Sequence, residues 1–453
     1  MLTRTTGKKD AMVLCTMEQL VPSNHILRKI ERTFDFDFIY DIVKPYYCLD
    51  NGRNSIDPVV LFKIMFIQIL FGIKSLRQTI RDIEVNAAYR WFLGIPFGEA
   101  IPHFSTIGKN YQRRYKGTDV YEQIFKTVLT FAISKRYVDG EEIFTDSTHI
   151  KANANKRKFD EVMVEVINEK KQALEDEINS QREELKKKKK LVLKDRVQTK
   201  KIKVSKTDPE SGYYYRDEKE KGFMYLDHRT VDGRHNIIID THITPGNVHD
   251  SVPIIDRLKH IDEHVIPFNQ IALDSGYHNY DVMKYLEENG KFSVIAHRRF
   301  PRNKEVYPKS AFLYDPKENV YTCPEGLALE PRTVNGQGYI EYHSEEKVCR
   351  DCPLRDACIG AKNSKRVIRR HVYEEYKERN TERRLSPQGK GLYSRRKCTI
   401  EISFANSKEN HGYRYAQFRG LRKNQDWSWL LCAVQNMKTI AYLEARNKNR
   451  HTS

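Results

Sequence analysis

The chain has 453 residues, with 79 Lys and Arg against 61 Asp and Glu, a formal charge of +18 and a pI near 9.3. Its length predicts two to four domains, at roughly 100–200 residues each. A hydrophobic content of 39% excludes a disordered chain. The longest apolar run, 59–73, is too short and too interrupted to span a bilayer. With no apolar leader at the N-terminus, we expect a cytoplasmic protein without a membrane partner, and its positive charge favours a nucleic-acid partner.

The N-terminal part, residues 1–135, is predicted to be a helical domain that binds DNA or dimerises. Asp57 can accept amide hydrogens at a helix start, and Pro58 loses no bond in the first helical position. The apolar residues that follow recur at helical spacing. A later helix carries Arg113 and Arg114 among tyrosines, as a DNA-contacting helix would. The alternative is a solvated basic face over an aromatic core.

The pattern changes after residue 135 and predicts an α/β domain over 136–446. A strand is predicted at 138–144, and an Asp-Gly pair at 232–233 indicates a hairpin between two strand-like runs. A helix, a strand at 269–274, a further helix and a last strand follow. This order predicts a mixed sheet flanked by helices.

A charged segment at 155–210 interrupts this pattern. It is dense in Lys and Glu, and its spaced apolar residues predict a long, exposed helix or a helical hairpin inserted in the domain. Its lysines could follow a phosphate backbone, or they could form a solvated helix face.

Two aspartates, Asp146 and Asp274, stand at the predicted C-terminal ends of strands and are followed by small polar residues. Carboxylates on adjacent strands can converge on a divalent cation, and Mg²⁺ prefers hard oxygen ligands. Two such ions about 3.5–4 Å apart support phosphodiester chemistry. The alternative is that each aspartate only forms a turn.

A later helix supplies a candidate third acid. Glu401 and Lys408 are seven residues apart, two helical turns, and therefore share a face. That pairing offers a carboxylate for metal and an ammonium for a phosphate. The alternative is an ordinary surface pair.

The segments FTDSTHIKAN at 144–153 and ALDSGY at 272–277, with Glu401 and Lys408, resemble the catalytic set of bacterial insertion-sequence transposases of the DDE type. The resemblance implies an RNase H-like catalytic domain in which Asp146, Asp274 and Glu401 hold metal. One branch of these enzymes has a Tyr, Arg, Glu, Lys signature. Here Tyr393 and Arg396 precede the Glu, but Arg396 is one residue too far from it and Lys397 has the expected spacing.

The implied activity is metal-dependent cleavage at the terminal inverted repeats of an insertion sequence, followed by attack of the freed 3′-hydroxyl on target DNA. Two Mg²⁺ or Mn²⁺ ions would serve as cofactor. His149 and Lys151 could contact phosphate. Double-stranded DNA at the element ends and the target would be the partner, bound by a homodimer on paired ends at the bacterial nucleoid. Two alternatives stay open, a metal-dependent nuclease without strand transfer and a zinc-containing DNA-binding regulator without catalysis.

Four of the eight cysteines fall within an insertion at 305–375. A C-x-x-C pair with two further thiolates can complete a tetrahedral Zn²⁺ site. We expect structural zinc on Cys323, Cys349, Cys352 and Cys358, or four reduced thiols in a small β-rich insertion. Residues 447–453 are predicted to form a basic tail.

Overall fold

The computed structural model describes residues 14–48, 50–51, 54–168, 171–216, 220–297, 306–359 and 363–451, together with residues 2 and 12. In chain order the helices are α1 (Met17–Leu20), α2 (Ile26–Thr33), α3 (Phe38–Val43), α4 (Pro58–Leu70), α5 (Leu76–Val85), α6 (Ala87–Leu93), α7 (Phe104–Asn110), α8 (Val120–Ser134), α9 (Gln172–Glu184), α10 (Ile254–His264), α11 (Tyr280–Glu288), α12 (Glu346–Arg350), α13 (Arg355–Ile359), α14 (Glu374–Leu385), α15 (Pro387–Ser394), α16 (Ile400–Asn410) and α17 (Leu421–His451).

The strands, again in chain order, are β1 (Glu142–Lys151), β2 (Phe159–Asn168), β3 (Arg196–Ser205), β4 (Gly212–Arg216), β5 (Glu220–Asp232), β6 (Ile238–Pro245), β7 (Gln270–Leu273), β8 (Phe292–Ile295), β9 (Leu313–Asp315), β10 (Val320–Thr322), β11 (Ala328–Val334), β12 (Tyr339–His343) and β13 (Val367–His371).

Helices α1–α8 form the N-terminal region, as the sequence predicts. The start of α4 follows the predicted signal, because the Asp57 carboxylate accepts the Val59 amide hydrogen at 2.7 Å and Pro58 occupies the first turn. Almost every side chain of α4 is buried. Buried Lys63 pairs with Glu31 at 2.9 Å, which satisfies its charge.

The N-terminal helices and the central sheet share one hydrophobic core. The long helix α17 joins them, since it packs against α2, α4 and α8 on one side and against β6 on the other. The predicted basic tail does not form a separate element where the structure describes it, because residues 447–451 continue α17. Residues 452–453 lie outside the described residues.

The central sheet has the strand order expected of an RNase H-like domain. Strands β6, β5 and β1 are antiparallel neighbours, and β7 and β8 continue the sheet parallel to β1. Strand β4 pairs with the first half of β5. The mixed α/β fold with a helical N-terminal region is therefore confirmed.

Buried amide side chains cover both edges of this sheet. On β6, Asn436 exchanges two hydrogen bonds with the backbone of Ile238, at 2.9 and 2.8 Å. On β8, Asn380 of α14 does the same for Ile295, at 2.9 and 3.1 Å. Exposed edge strands are templates for unwanted pairing, so these amides close the sheet while satisfying its buried backbone groups.

The prediction of a long helix or helical hairpin at 155–210 is wrong. Strands β2 and β3 pair antiparallel over their full length, and only α9 between them is helical. Val162, Val164 and Val166 alternate along β2, a two-residue period that suits a strand and that the Lys and Glu content obscures.

The cysteine-rich insertion is a sheet of β9–β13, all antiparallel, with a hydrophobic core of its own. Helix α9 packs on it, because Ile178 is fully buried in that core and the Tyr373 hydroxyl donates to the Ala173 carbonyl at 3.2 Å. The two insertions therefore pack against each other.

A fully buried ion pair connects the sheet to helix α16. Arg229 of β5 donates to the Asp227 carboxylate at 2.6 Å, and both side chains are inaccessible to solvent. The same guanidinium donates to Ser407 at 2.8 Å and to Ser403 at 3.1 Å, both on α16. Arg229 therefore fixes α16 against the face of the sheet.

We predict that Arg229→Ala lowers the free energy of unfolding by about 3–5 kcal/mol, because it leaves Asp227 buried without a counter-charge. Urea denaturation measures the loss. Arg234→Ala is the matched control, since Arg234 pairs with Asp139 at the surface and its loss should cost below about 1 kcal/mol. Equal losses in the two variants would contradict the role given to the buried pair.

Candidate active site

Two of the three predicted acids stand at corresponding positions of neighbouring strands. Strands β1 and β7 run parallel with Phe144 opposite Ala272, so Asp146 and Asp274 both come two residues later. Neighbouring strands are about 4.8 Å apart, and the two aspartates therefore lie close together. The predicted end of the first strand is wrong, because β1 continues to Lys151 against β5 and places Asp146 mid-strand.

Asp146 is mostly buried and carries two charge-stabilising contacts. Arg396 donates to Oδ2 at 2.6 Å, and the Ser147 amide donates to Oδ1 at 2.8 Å. Burial nevertheless raises the pKa of Asp146 to about 6, with the charges of Asp274 and Asp250 acting in the same direction and Arg396 against it. Desolvation of the Asp146 carboxylate, to which the neighbouring carboxylates add, therefore outweighs the stabilising charge of Arg396.

Asp250 is a further acid beside β1, and it stands shortly before a helix, where an aspartate more often serves as a cap. Helix α10 begins only at Ile254, behind Pro253. Asp250 instead accepts the Ser147 hydroxyl hydrogen at Oδ1, 2.6 Å away. No short sequence signal marks this contact, because it joins residues 103 positions apart.

Glu401 lies in the first turn of α16 and is exposed. It lines an open pocket with Arg396 and Lys397, while Arg396 also reaches Asp146. Arg396 thus lies between Asp146 and the pocket that Glu401 lines. Two turns along α16, the Lys408 ammonium donates to the Thr148 hydroxyl of β1 at 2.5 Å.

Arg396, rather than Lys397, faces the first aspartate. Residues 395–398 form a 3₁₀ turn, which Arg395 anchors by an ion pair with Glu142 and a 2.6 Å bond to the Gly233 carbonyl. Arg396 Nη1 also lies 3.3 Å from the Tyr393 hydroxyl. Thr399, between this turn and α16, has dihedral angles outside the helical region, so the backbone from Arg396 to Glu401 is not one continuous helix.

The other predicted phosphate contacts lie along two grooves, of which the first is shared with two of the acids. The His149 ring packs on Tyr214 and faces a groove that Asp250 and Asp274 also line. Lys151 and Lys408 line a second groove, together with Arg414.

The predicted DNA-contacting arginines of the N-terminal region lie elsewhere, in a π-helical turn over 111–115. Arg113 is exposed. Arg114 donates to Asn110 at 2.7 Å and stacks over Tyr47, so it is partly committed to packing.

The donor chemistry of the site fits a divalent cation, because carboxylates dominate it and the buried Tyr277 hydroxyl has no hydrogen-bond partner among the described residues. These side chains are not, however, close enough together to coordinate one cation. Over the ranges given above, no three His, Cys, Asp or Glu side chains are grouped closely enough to hold one.

The four predicted zinc ligands meet around one cavity of about 230 Å³ in the insertion: Cys323, Cys349, Cys352 and Cys358. Cys323 begins a turn in which the Leu327 amide donates to its Sγ at 3.4 Å. Burial raises the pKa of Cys358, and the other three thiols add to the shift. The thiols thus converge without forming a closed cage.

Two family models match the chain. The one described as "Transposase domain (DUF772)" covers residues 16–113, and the one described as "Transposase DDE domain" covers residues 322–441. The second includes Glu401, Lys408 and the four cysteines, while Asp146 and Asp274 lie between the two matched segments.

A search of curated proteins finds no match. Among solved structures, the chain is similar to "Mos1 transposase paired-end complex with left transposon end" at 11% identity, over 54% of this chain and 62% of that one. The TM-score is 0.16, too low for the likeness to inform the fold. In the part of the chain that is described, no helix has the length and apolarity to cross a membrane.

The raised pKa of Asp146 predicts a pH-dependent cost to folding. Between its ordinary pKa near 3.8 and about 6, the folded chain binds more protons at this group than the unfolded chain, so stability falls as pH rises. Asp146→Asn keeps an acceptor for Arg396 and removes the charge. We therefore expect Asp146→Asn to leave the free energy of unfolding unchanged at pH 4 and to raise it by about 2 kcal/mol at pH 7.5.

Urea denaturation across this pH range, with a chelator present, measures the gain. Asp160→Asn, an exposed aspartate of β2, is the control and should show no such trend. A variant that is no more stable than the unmodified chain at pH 7.5 would contradict the interpretation.

Proposed function

Because the chain belongs to the DDE-type transposases, we propose that it cuts DNA at the terminal inverted repeats of an insertion sequence and joins the freed 3′-hydroxyl to target DNA. The observation that carries the proposal is the parallel pairing of β1 with β7, which places Asp146 beside Asp274. No observation favours a nuclease without strand transfer or a non-catalytic regulator.

We propose Asp146, Asp274 and Glu401 as the acids that would hold Mg²⁺ or Mn²⁺, in one or two ions. Such a cation supplies Lewis-acid stabilisation of the phosphodiester chemistry and a more acidic bound water. The chain itself supplies the positive groups around them. Arg396 holds the Asp146 carboxylate in place, and Lys408 presents its ammonium beside β1, where a DNA phosphate could be bound.

DNA is the proposed partner because basic residues line a groove at the end of β1, the strand that carries Asp146. Lys74, Lys151, Lys408 and Arg414 line one continuous groove, and the whole chain carries a charge of +18. Phosphates of a bound duplex would be neutralised there, with affinity that falls as salt rises. Pairing of two ends by a homodimer at the bacterial nucleoid is part of the same proposal and rests on the family resemblance.

The proposal predicts that Asp146→Asn, Asp274→Asn and Glu401→Gln each lower cleavage of DNA by at least about 10²-fold, because each removes charge from the reacting centre. The substrate is a duplex that carries the inverted repeat found beside the coding region. Asp160→Asn is again the matched control. A second, labelled duplex reports strand transfer.

Joined product with the unmodified chain supports a transposase, and cleavage without joining supports the nuclease. Cleavage that survives all three substitutions would contradict the assigned acids.

We also propose that Cys323, Cys349, Cys352 and Cys358 bind structural zinc. The support is their convergence on one cavity and the amide hydrogen bond to Cys323, since thiolate sets of this kind suit Zn²⁺. Cys349 and Cys352 are half-buried, and both line that cavity.

Metal analysis of the purified protein should therefore find about one zinc per chain. Cys352→Ser should lower both the zinc content and the thermal stability. Cys398→Ser, which alters an exposed cysteine outside the insertion, should change neither. Equal zinc content in the two variants would contradict the assignment.

A further inference from the structure

Asp250 shares its surroundings with the two aspartates of the candidate active site. A Cβ placed on Gly276 would lie 2.9 Å from Asp250 Oδ2 and 3.0 Å from Asp274 Oδ1. The first contact is shorter than real Cβ atoms show and the second is tight, so both carboxylates lie directly against Gly276.

Ser147 links Asp250 to Asp146. Its amide donates to Asp146 Oδ1 at 2.8 Å, and its hydroxyl donates to Asp250 Oδ1 at 2.6 Å. The two acids are therefore oriented by one residue of β1. One oxygen of each is hydrogen-bonded to it, and Oδ2 of Asp250 is the oxygen that points toward Gly276.

A buried hydroxyl provides an independent indication of a ligand. Tyr277 is fully buried, and its hydroxyl has no hydrogen-bond partner among the residues described. Burial is the main cause that raises the pKa of Tyr277, the charges of Asp146, Asp250 and Asp274 add to it and Ser147 opposes it, so the hydroxyl lies among these groups. A buried polar group without a partner is costly, and a bound cation with its water would satisfy it.

Glu401 has a different position. It is exposed and lines the pocket on the other side of Arg396, which is bonded to Asp146. In the absence of DNA, Asp250 and Asp274, which both lie against Gly276, are thus better placed for a common ligand than Glu401 on α16.

We propose that Asp250 is a further cation-binding carboxylate of this active site, which holds a divalent cation together with Asp146 and Asp274 before DNA binds. The inference rests on the proposed function, because it assigns an additional acid to the same site. Hard oxygen donors of this kind suit Mg²⁺ and Mn²⁺. Gly276 leaves the space between the carboxylates open, and Ser147 orients two of them.

Titration of the full chain with Mn²⁺ in the absence of DNA, with free Mn²⁺ measured by electron paramagnetic resonance, tests this directly. Asp250→Asn should weaken binding by at least about tenfold, since even indirect partners of metal ligands contribute that much. Asp256→Asn, an exposed aspartate in α10, is the matched control.

Thermal unfolding checks that Asp250→Asn is folded. Should it fail to fold, Ser147→Ala replaces it, and the loss of the hydrogen bond that orients Asp250 should weaken Mn²⁺ binding several-fold. Unchanged Mn²⁺ affinity in the folded Asp250 variant, or in Ser147→Ala when that variant replaces it, overturns the inference.

The two proposals can fail separately. If the unmodified chain binds no Mn²⁺ without DNA, the inference is overturned, while cleavage lost in Asp146→Asn would still support the proposed function. If Mn²⁺ binds as expected but no DNA is cleaved, the cation site stands and the proposed function fails.

Discussion

The active site depends on the position of β1 between an antiparallel neighbour and a parallel one. Pairing with β7 sets Asp146 beside Asp274, and pairing with β5 sets Asp146 opposite Arg229. Arg229 then holds α16, the helix of Glu401, through Ser403 and Ser407. A one-residue slip of β1 would turn Asp146 to the other face of the sheet and separate it from these partners.

Charge balance explains why several arginines accompany the acids. Burial and mutual repulsion disfavour ionised Asp146, and Arg396 compensates only in part. Asp227, by contrast, is fully buried, and Arg229 and Thr241 both donate to it. The charge of Asp146 is thus only partly compensated, whereas the fully compensated Asp227 stabilises the fold. The candidate active site and the buried Asp227–Arg229 pair therefore differ in how completely their charges are compensated.

Much of the fold could be predicted because its signals are local. The cap at Asp57, the Asp-Gly hairpin and the strand before Asp274 all lie within a few residues of the elements that they specify. The β2–β3 ribbon was missed because its charged residues hide a two-residue period. The contacts of Asp250 and Arg396 could not be predicted because they join β1 to distant segments, across 103 and 250 residues, and a tight turn sets the direction of Arg396.

We propose that acids from separate parts of the chain meet at β1 to bind a divalent cation against DNA. Anomalous diffraction from crystals of the chain with an element-end duplex and Mn²⁺ tests it most directly. The account predicts a manganese peak within ligating distance of Asp146 and Asp274, about 2 Å from their oxygens. A peak remote from both aspartates, with Asp146 still bonded to Arg396, would contradict it.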